Sequence, residues 1–422
     1  MAQLSKGREA ALKALVAVEK DGAYLNIAMR DILQSSPDMR DNALSMQLAF
    51  GVTKNKLYID NIIENISTVK LKKLSVWIHN ILRIGIYSIK FLDRIPTSAT
   101  VSECVKLSRR YGHSASAGFV NAVLRKAINS GDFLPEDKKS TKYLSIRYSL
   151  PLWLVEHWQK EGYGEDFFKA MNETPPTVVR LNRAKAKTLG AGFDKVSGSE
   201  NAYFYTGSGS VENTDEYRNG LVTVQDTASQ RAIELLDIKE DMLVLDLCAA
   251  PGGKTTYAAQ KMCGTGKVVS CDIHNHKLPL IEANAQRLGL GNISVIQNDA
   301  LEPRKEFENA FDCVIADVPC SGLGIIRRKP DIKWTKNKEE ILSLVPIQRK
   351  ILHNASQYVK KGGRLLYSTC TVNKDENENN VAHFLENHSD FSLAENCLPC
   401  GIQFAPHLFE TDGFFVAVFE RK

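Results

Sequence analysis

The chain changes its hydrophobic rhythm at two points. Up to about residue 140, apolar positions recur every three or four residues, the period of a helix with one buried face. Trp77, Ile78, Ile81, Leu82 and Ile89 form one such stripe, which Pro96 ends. Thr97 then stands where it can cap a helix striped by Val101, Cys104 and Val105 and closed by Gly112. Another helix runs through Phe119, Val120, Val123 and Leu124, and Leu12, Leu15 and Val16 begin an earlier one. These stripes predict an all-α bundle over residues 1–140. Gly131, Pro135 and the charges of 127–141 predict a linker. Residues 141–225 read as a small α+β unit, with a helix from Trp153 to Trp158, a break at Pro175-Pro176 and a strand at Val178, Val179 and Leu181.

From about residue 226, short apolar runs alternate with helical stretches. The runs are Leu243–Leu247, Val268–Cys271, Ile293–Ile296, Cys313–Ala316, Arg364–Tyr367 and Phe414–Phe419. Such alternation predicts βαβ units, and runs this dense predict strands of a parallel sheet covered on both faces. Residues 226–422 are therefore expected to form a doubly wound α/β domain.

Composition narrows the class. With 43% hydrophobic and 24% charged residues, 422 positions suit a soluble chain of two or three domains. No window approaches the roughly 18 apolar residues that span a bilayer. The polar start Met1–Glu9 lacks the apolar core of a secretory signal, so a cytoplasmic protein with no membrane partner is expected. Nine cysteines are too sparse for a disulfide framework, which leaves each as a buried small side chain or a reactive thiol. Charge is uneven: residues 1–150 hold 23 Lys and Arg against 13 Asp and Glu, a formal +10, and the remainder −5. Lys72, Lys73, Arg109, Arg110, Arg125 and Lys126 lie off the apolar stripes, and a basic surface of this kind suits nucleic acid as well as simple solubility.

The candidate chemistry lies where strands end. The first strand runs into Asp246-Leu247-Cys248-Ala249-Ala250-Pro251-Gly252-Gly253-Lys254-Thr255-Thr256. A glycine pair at a strand-to-helix turn lets backbone approach a ligand, yet both the Walker spacing and the three-glycine dinucleotide fingerprint are missing. Asp272, ending the second strand, can hold ribose hydroxyls. Asp299, after the third, can read an adenine amino group. Acids at successive strand ends without a phosphate cradle point to S-adenosylmethionine.

The fourth strand ends in Asp317-Val318-Pro319-Cys320-Ser321-Gly322 and the fifth in Tyr367-Ser368-Thr369-Cys370-Thr371. If these strands are neighbours, two thiols and Asp317 converge on one atom. Cys397-Leu398-Pro399-Cys400 has zinc-like spacing but no second pair, and no metal site is expected. A thiol, a carboxylate and a methyl donor suggest methylation of cytosine carbon 5, which is too weak a nucleophile to attack the donor unaided. Thiolate addition to carbon 6 makes carbon 5 an enamine carbon. An acid such as Asp317 can offset the charge at ring nitrogen 3, and a second thiol can remove the carbon 5 proton.

With these motifs in order, and with Val224-Gln225-Asp226-Thr227-Ala228-Ser229-Gln230 upstream, the chain resembles the Sun/Fmu family of RNA cytosine-C5 methyltransferases. Arg327-Arg328-Lys329-Pro330-Asp331-Ile332-Lys333-Trp334 looks like the substrate-side loop of its subgroup acting on 16S ribosomal RNA. Val120-Asn121-Ala122-Val123-Leu124-Arg125 is similar to the closing helix of the NusB-like amino-terminal domain that subgroup carries. The resemblance implies a NusB-like RNA-binding domain at 1–140, a small α+β subdomain at 141–225 and a Rossmann-like methyltransferase domain at 226–422. It implies that Cys370 is the nucleophile, that Cys320 aids release and that Asp317 and Lys254 complete the catalytic set. It places Cys248, Ala249, Ala250, Pro251, Gly252, Gly253, Lys254, Asp272, Asp299 and Asp317 at the cofactor. The partner implied is 16S ribosomal RNA, free or partly assembled, with the chain acting as a monomer. Lys329 and Thr227 depart from the family pattern, which has His and Glu there. A transfer RNA methyltransferase and a non-catalytic RNA-binding assembly factor are the competing readings; intact thiols weigh against the second.

Overall fold

The computed structural model describes residues 5–33 and 38–422; of the polar start Met1–Glu9, residues 1–4 lie outside the described residues. The chain divides into two compact units, Met1–Glu173 with Ile326–Thr335, and Thr174–Ile325 with Lys336–Lys422.

The first unit is helical. Its helices are α1 (Lys6–Asp21), α2 (Leu25–Leu33), α3 (Met39–Lys54), α4 (Lys56–Ile66), α5 (Val76–Phe91), α6 (Thr97–Tyr111), α7 (Ser116–Ile128), α8 (Thr141–Arg147), α9 (Leu152–Lys160) and α10 (Glu165–Met171). The stripes read from sequence face one core, in which Leu12, Ile81, Leu82, Val120 and Leu124 are fully buried. Ser75 caps α5 by accepting the Ile78 N–H. Thr97 does not cap α6: Pro96 is the residue before the first turn, and its carbonyl accepts the Thr100 N–H at 3.1 Å. The proline ring already fixes the entry φ, so Thr97 is the first helical residue rather than the cap.

The second unit holds two sheets. β1 (Val178–Leu181), β2 (Phe193–Lys195), β3 (Ala202–Tyr205) and, after the short α11 (Asp215–Arg218), β4 (Val222–Val224) form an antiparallel sheet ordered β2-β3-β1-β4. Then follow α12 (Thr227–Leu235), β5 (Leu243–Asp246), α13 (Gly253–Lys261), β6 (Lys267–Asp272), α14 (Leu278–Leu288), β7 (Ile293–Gln297) and β8 (Phe311–Asp317). At Ile326 the chain returns to the first unit for ten residues, including the short α15 (Ile332–Thr335). There Lys333 Nζ donates to the carbonyls of Lys54 (2.8 Å) and Ser149 (2.9 Å), and Trp334 Nε1 donates to that of Thr53 (2.8 Å). Two of these acceptors are terminal carbonyls of α3, which have no partner inside their own helix. The chain then completes the second unit with α16 (Lys338–Tyr358), β9 (Val359–Thr369), α17 (Glu378–Asn387), β10 (Phe391–Leu393), β11 (Ile402–Phe404) and β12 (Phe414–Arg421).

The large sheet runs β10-β12-β9-β8-β5-β6-β7, with β11 paired to β12. From β9 to β7 it is parallel, as the apolar runs predict, and Val244, Val314, Ile315, Leu365 and Leu366 are fully buried in it. β12 is the exception, antiparallel to β9. A buried apolar run looks the same in either direction, and the return to β12 through β10 and β11 contains no crossover helix after α17. β6 and β7 lie on one side of β5 and β8 and β9 on the other, so the order reverses between β5 and β8, where doubly wound sheets open a crevice. Among the described residues no helix is long and apolar enough to cross a membrane.

Candidate active site

Four strand ends meet at that crevice. β5 runs through Cys248, Ala249, Ala250, Pro251 and Gly252 into α13. Gly252 has a φ of 99°, and a Cβ there would lie 3.2 Å from Ile281, so glycine alone makes this turn without strain. The Ala249 N–H donates to the Cys271 carbonyl at 2.8 Å, tying the turn to β6. Asp272, ending β6, is nearly buried; its Oδ2 accepts the Ala250 N–H (3.2 Å) and its Oδ1 the His274 N–H (2.9 Å). Asp299, past β7, accepts the Leu301 N–H at 2.9 Å.

Asp272, Asp299 and Asp317 line one cavity of about 300 Å³ with Cys248 and Ala250, and Ile273, Leu301, Ile347 and Ile351 give it apolar walls. The side-chain amide nitrogen of Asn298 is on this wall, buried and without a partner. A buried donor left unpaired is costly, and a ligand acceptor would satisfy it. Apolar walls, carboxylates and one spare amide donor together suit a purine nucleoside. Ala249, Pro251, Gly252 and Gly253 shape the turn without lining the cavity.

Asp317 is held from both sides, by Lys254 Nζ at 2.7 Å on Oδ2 and by the Ser368 hydroxyl at 2.7 Å on Oδ1. Lys254 is itself buried and lies 4.9 Å from the centre of the Phe414 ring. Deeper, burial and then the charge of Asp317 push Asp246 up to about 7, against a Thr255 hydroxyl that donates to it at 2.6 Å. Behind the turn, Arg180 of β1 is fully buried and is met by neutral acceptors. Its guanidinium donates to Gln225 Oε1, to the Gly253 carbonyl (2.9 Å), to Thr256 Oγ1 (3.0 Å) and to Gln260 Oε1 (3.0 Å), and lies over the Tyr257 ring. Its fork thus braces the glycine turn from the small sheet.

β8 and β9 are neighbours, with Asp317 opposite Ser368, so the segments that follow them run side by side. Cys320 Sγ and Cys370 Sγ lie 3.3 Å apart. The hydrogen shared with Cys370, followed by burial and the charges around it, pushes the Cys320 thiol well above its ordinary value. Cys320 thus keeps its proton in this contact, in which either sulfur can be the donor. Glu376, fully buried, joins the two segments by accepting from the Ser321 N–H (2.8 Å), the Ser321 hydroxyl (2.5 Å), Gln348 Nε2 (2.9 Å) and Asn373 Nδ2 (2.9 Å). The Ser321 and Thr371 hydroxyls are 2.7 Å apart.

The model of the NusB family matches residues 5–129, and that of 16S rRNA methyltransferase RsmB/F matches residues 233–420. A Bacillus subtilis (strain 168) protein named "Probable ribosomal RNA small subunit methyltransferase B" is 35% identical over 98% of both chains. The chain belongs to the ribosomal RNA small subunit methyltransferase B family. Another member, from Photorhabdus laumondii, is 33% identical, again over 98% of both chains. The crystal structure of PH0851 is similar across 100% of both chains, with 26% identity and a TM-score of 0.81. Members of this family are methyltransferases, and the second unit, with its Rossmann-like sheet, has the fold of one.

The structure therefore brings together Asp272, Asp299, Asp317 and Cys248 at one cavity, and Lys254, Asp317, Cys320 and Cys370 beside it. It spends the expected substrate-loop side chains Lys333 and Trp334 on carbonyls of the first unit. Gln225 and Asp226 of the upstream motif are structural: Gln225 accepts from Arg180, and Asp226 caps α12. Sequence reasoning missed Arg180 and Glu376. Each is a charged residue beside apolar or motif positions, and only a pairing with distant neutral groups marks it.

Proposed function

We propose that the chain transfers a methyl group from S-adenosylmethionine to carbon 5 of a cytosine in 16S ribosomal RNA, through a covalent bond between Cys370 and carbon 6. The observation that carries this reading is the pair of sulfurs 3.3 Å apart, beside a carboxylate held by Lys254 and Ser368 at the mouth of a nucleoside-sized cavity. The curated relatives named for small-subunit ribosomal RNA supply the substrate class.

S-Adenosylmethionine supplies an electrophilic methyl group. Asp272 would hold its ribose hydroxyls, and Asp299 and the spare Asn298 amide would meet its adenine, with Ile273, Leu301, Ile347 and Ile351 as the apolar walls of the cavity. Cys370 gives up its proton to Asp317 and adds to carbon 6 of the cytosine as the thiolate, with Cys320 Sγ 3.3 Å from the attacking sulfur. Asp317, protonated in that step, donates to ring nitrogen 3, and Lys254 offsets the charge that gathers there. Once Cys370 is bonded to carbon 6, the hydrogen bond that most raises the Cys320 thiol is gone; Cys320 then loses its proton to solvent and, after methyl transfer, takes the carbon 5 proton as a thiolate. The electron pair of that C–H bond restores the ring double bond, and the carbon 6–sulfur bond breaks to free Cys370. The basic helices of the first unit dock the RNA backbone.

Bisulfite sequencing of ribosomal RNA from cells with and without this gene tests the reading. One 16S cytosine is protected only when the gene is present. Loss of protection in transfer RNA alone, or no difference at all, overturns it.

A further inference from the structure

Beside the two thiols lies a buried group that the proposed chemistry leaves without a task. Glu376 binds the residues around Cys320. Its carboxylate takes four hydrogen bonds, two from Ser321, which follows Cys320, one from Asn373 and one from Gln348 of α16. Gln348 Nε2 also donates to the carbonyl of Pro319, which precedes Cys320, at 3.1 Å. The residues before and after Cys320 are therefore both tied, directly or through one amide, to a carboxylate on the segment that follows Cys370. The Ser321–Thr371 hydroxyl pair adds a second, lighter bridge between the two segments. Cys370, in contrast, follows directly from β9, whose pairing with β8 and β12 fixes it independently.

We infer that Glu376 is a positioning residue for Cys320, holding that thiol where it serves release of the methylated base while leaving attack by Cys370 to the strand end. The inference rests on the two-thiol chemistry proposed above. A carboxylate offers acceptors only, which matches four converging donors; an amide would turn its NH2 toward at least one of them. Glu376→Gln therefore keeps the volume and breaks the clamp.

The test uses the full chain with transcribed 16S ribosomal RNA and S-adenosylmethionine, scoring methyl incorporation, turnover and the RNase-sensitive protein–RNA band on a denaturing gel. Glu376→Gln is expected to form the methylated adduct and to release it roughly a hundredfold more slowly, the low end of what a positioned proton-transfer group contributes. Its pattern then matches that of Cys320→Ala. Ser321→Ala removes one of the four links without touching the carboxylate, and accumulates adduct to a smaller extent; it carries the test if Glu376→Gln does not fold. A purely structural role lowers adduct and turnover together, and that result, or wild-type release in a folded variant, overturns the inference. If Cys320→Ala itself accumulates no adduct, the thiol assignment has failed rather than the role of Glu376.

Discussion

Replacing Asp272 by Ala removes a carboxylate whose two oxygens each already accept one backbone N–H, from Ala250 and from His274. Each oxygen keeps a further lone pair, so the side chain can take two vicinal hydroxyls without giving up the turn. Loss of the charge-assisted ribose hydrogen bonds costs about 1.5–3 kcal/mol, or roughly tenfold to a hundredfold in Kd. Two backbone N–H groups also lose their acceptor, which costs about 1–3 kcal/mol of folding stability where water does not reach them. Thermal unfolding reads that second effect, and calorimetric titration with S-adenosylhomocysteine reads the first. A 2′-deoxy analogue separates the two: it binds wild type more weakly than the parent compound but binds Asp272→Ala equally well, since the partner of the missing hydroxyl is already gone. Unchanged affinity in a folded variant, or the same deoxygenation penalty in both proteins, would refute the assignment of Asp272 to the ribose.

Three other outcomes follow from the site and the helices. Cys370→Ala abolishes methylation and gives no covalent RNA species, whereas Cys320→Ala stalls as the methylated adduct; the opposite pattern on a denaturing gel puts the nucleophile on the other strand. A groove of about 410 Å³ between α6 and α7 presents Lys106, Arg109 and Arg125. Arg109→Ala with Arg125→Ala should lower the salt dependence of RNA binding by roughly 1.4 in log–log slope, about 0.7 for each phosphate of single-stranded RNA no longer neutralised, and an unaltered slope makes these arginines bystanders. Burial raises Asp246 to about 7 in the fold, above its unfolded value. Its favourable contribution is therefore complete below the unfolded value and is lost as pH rises through about 7. Asp246→Asn abolishes this loss, so urea unfolding should show the variant gaining on wild type between about pH 5 and 7 by about 1.4 kcal/mol per pH unit at most, and parallel curves would show that Asp246 does not titrate there.

Much of this was legible because hydrophobic period and motif placement report directly on buried faces and strand ends. The stripe from Trp77 to Ile89 became α5, and all six apolar runs became strands, with Asp272, Asp299, Cys320 and Cys370 just where strand ends put them. What escaped depended on distant partners. The direction of β12 is invisible in an apolar run. Arg180 interrupts Val178-Val179-Leu181 as an outward charge would, yet it is buried because Gln225, Gly253, Thr256 and Gln260 converge on it from other elements. Glu376 sits in Lys374-Asp375-Glu376-Asn377-Glu378, a stretch that reads as a solvated turn. Lys333 looks like an RNA-binding side chain within a basic loop, but the carbonyls of Lys54 at the end of α3 and of Ser149 claim it, and burial lowers it to about 7.

The return of residues 326–335 to the first unit has a consequence for synthesis. The helical unit is finished not when Glu173 leaves the ribosome but when Thr335 does. At about 5–20 residues per second, the Thr53 and Lys54 carbonyls wait on the order of ten seconds or more for Trp334 and Lys333 to emerge. Through that interval α1–α10 lack their last inserted piece while four of the eight strands of the large sheet, β5–β8, are being made. A helical unit expressed alone as residues 1–173 would be frozen at this stage, its α3 terminus hydrated and the seat of Trp334 open to whatever indole-sized surface meets it first.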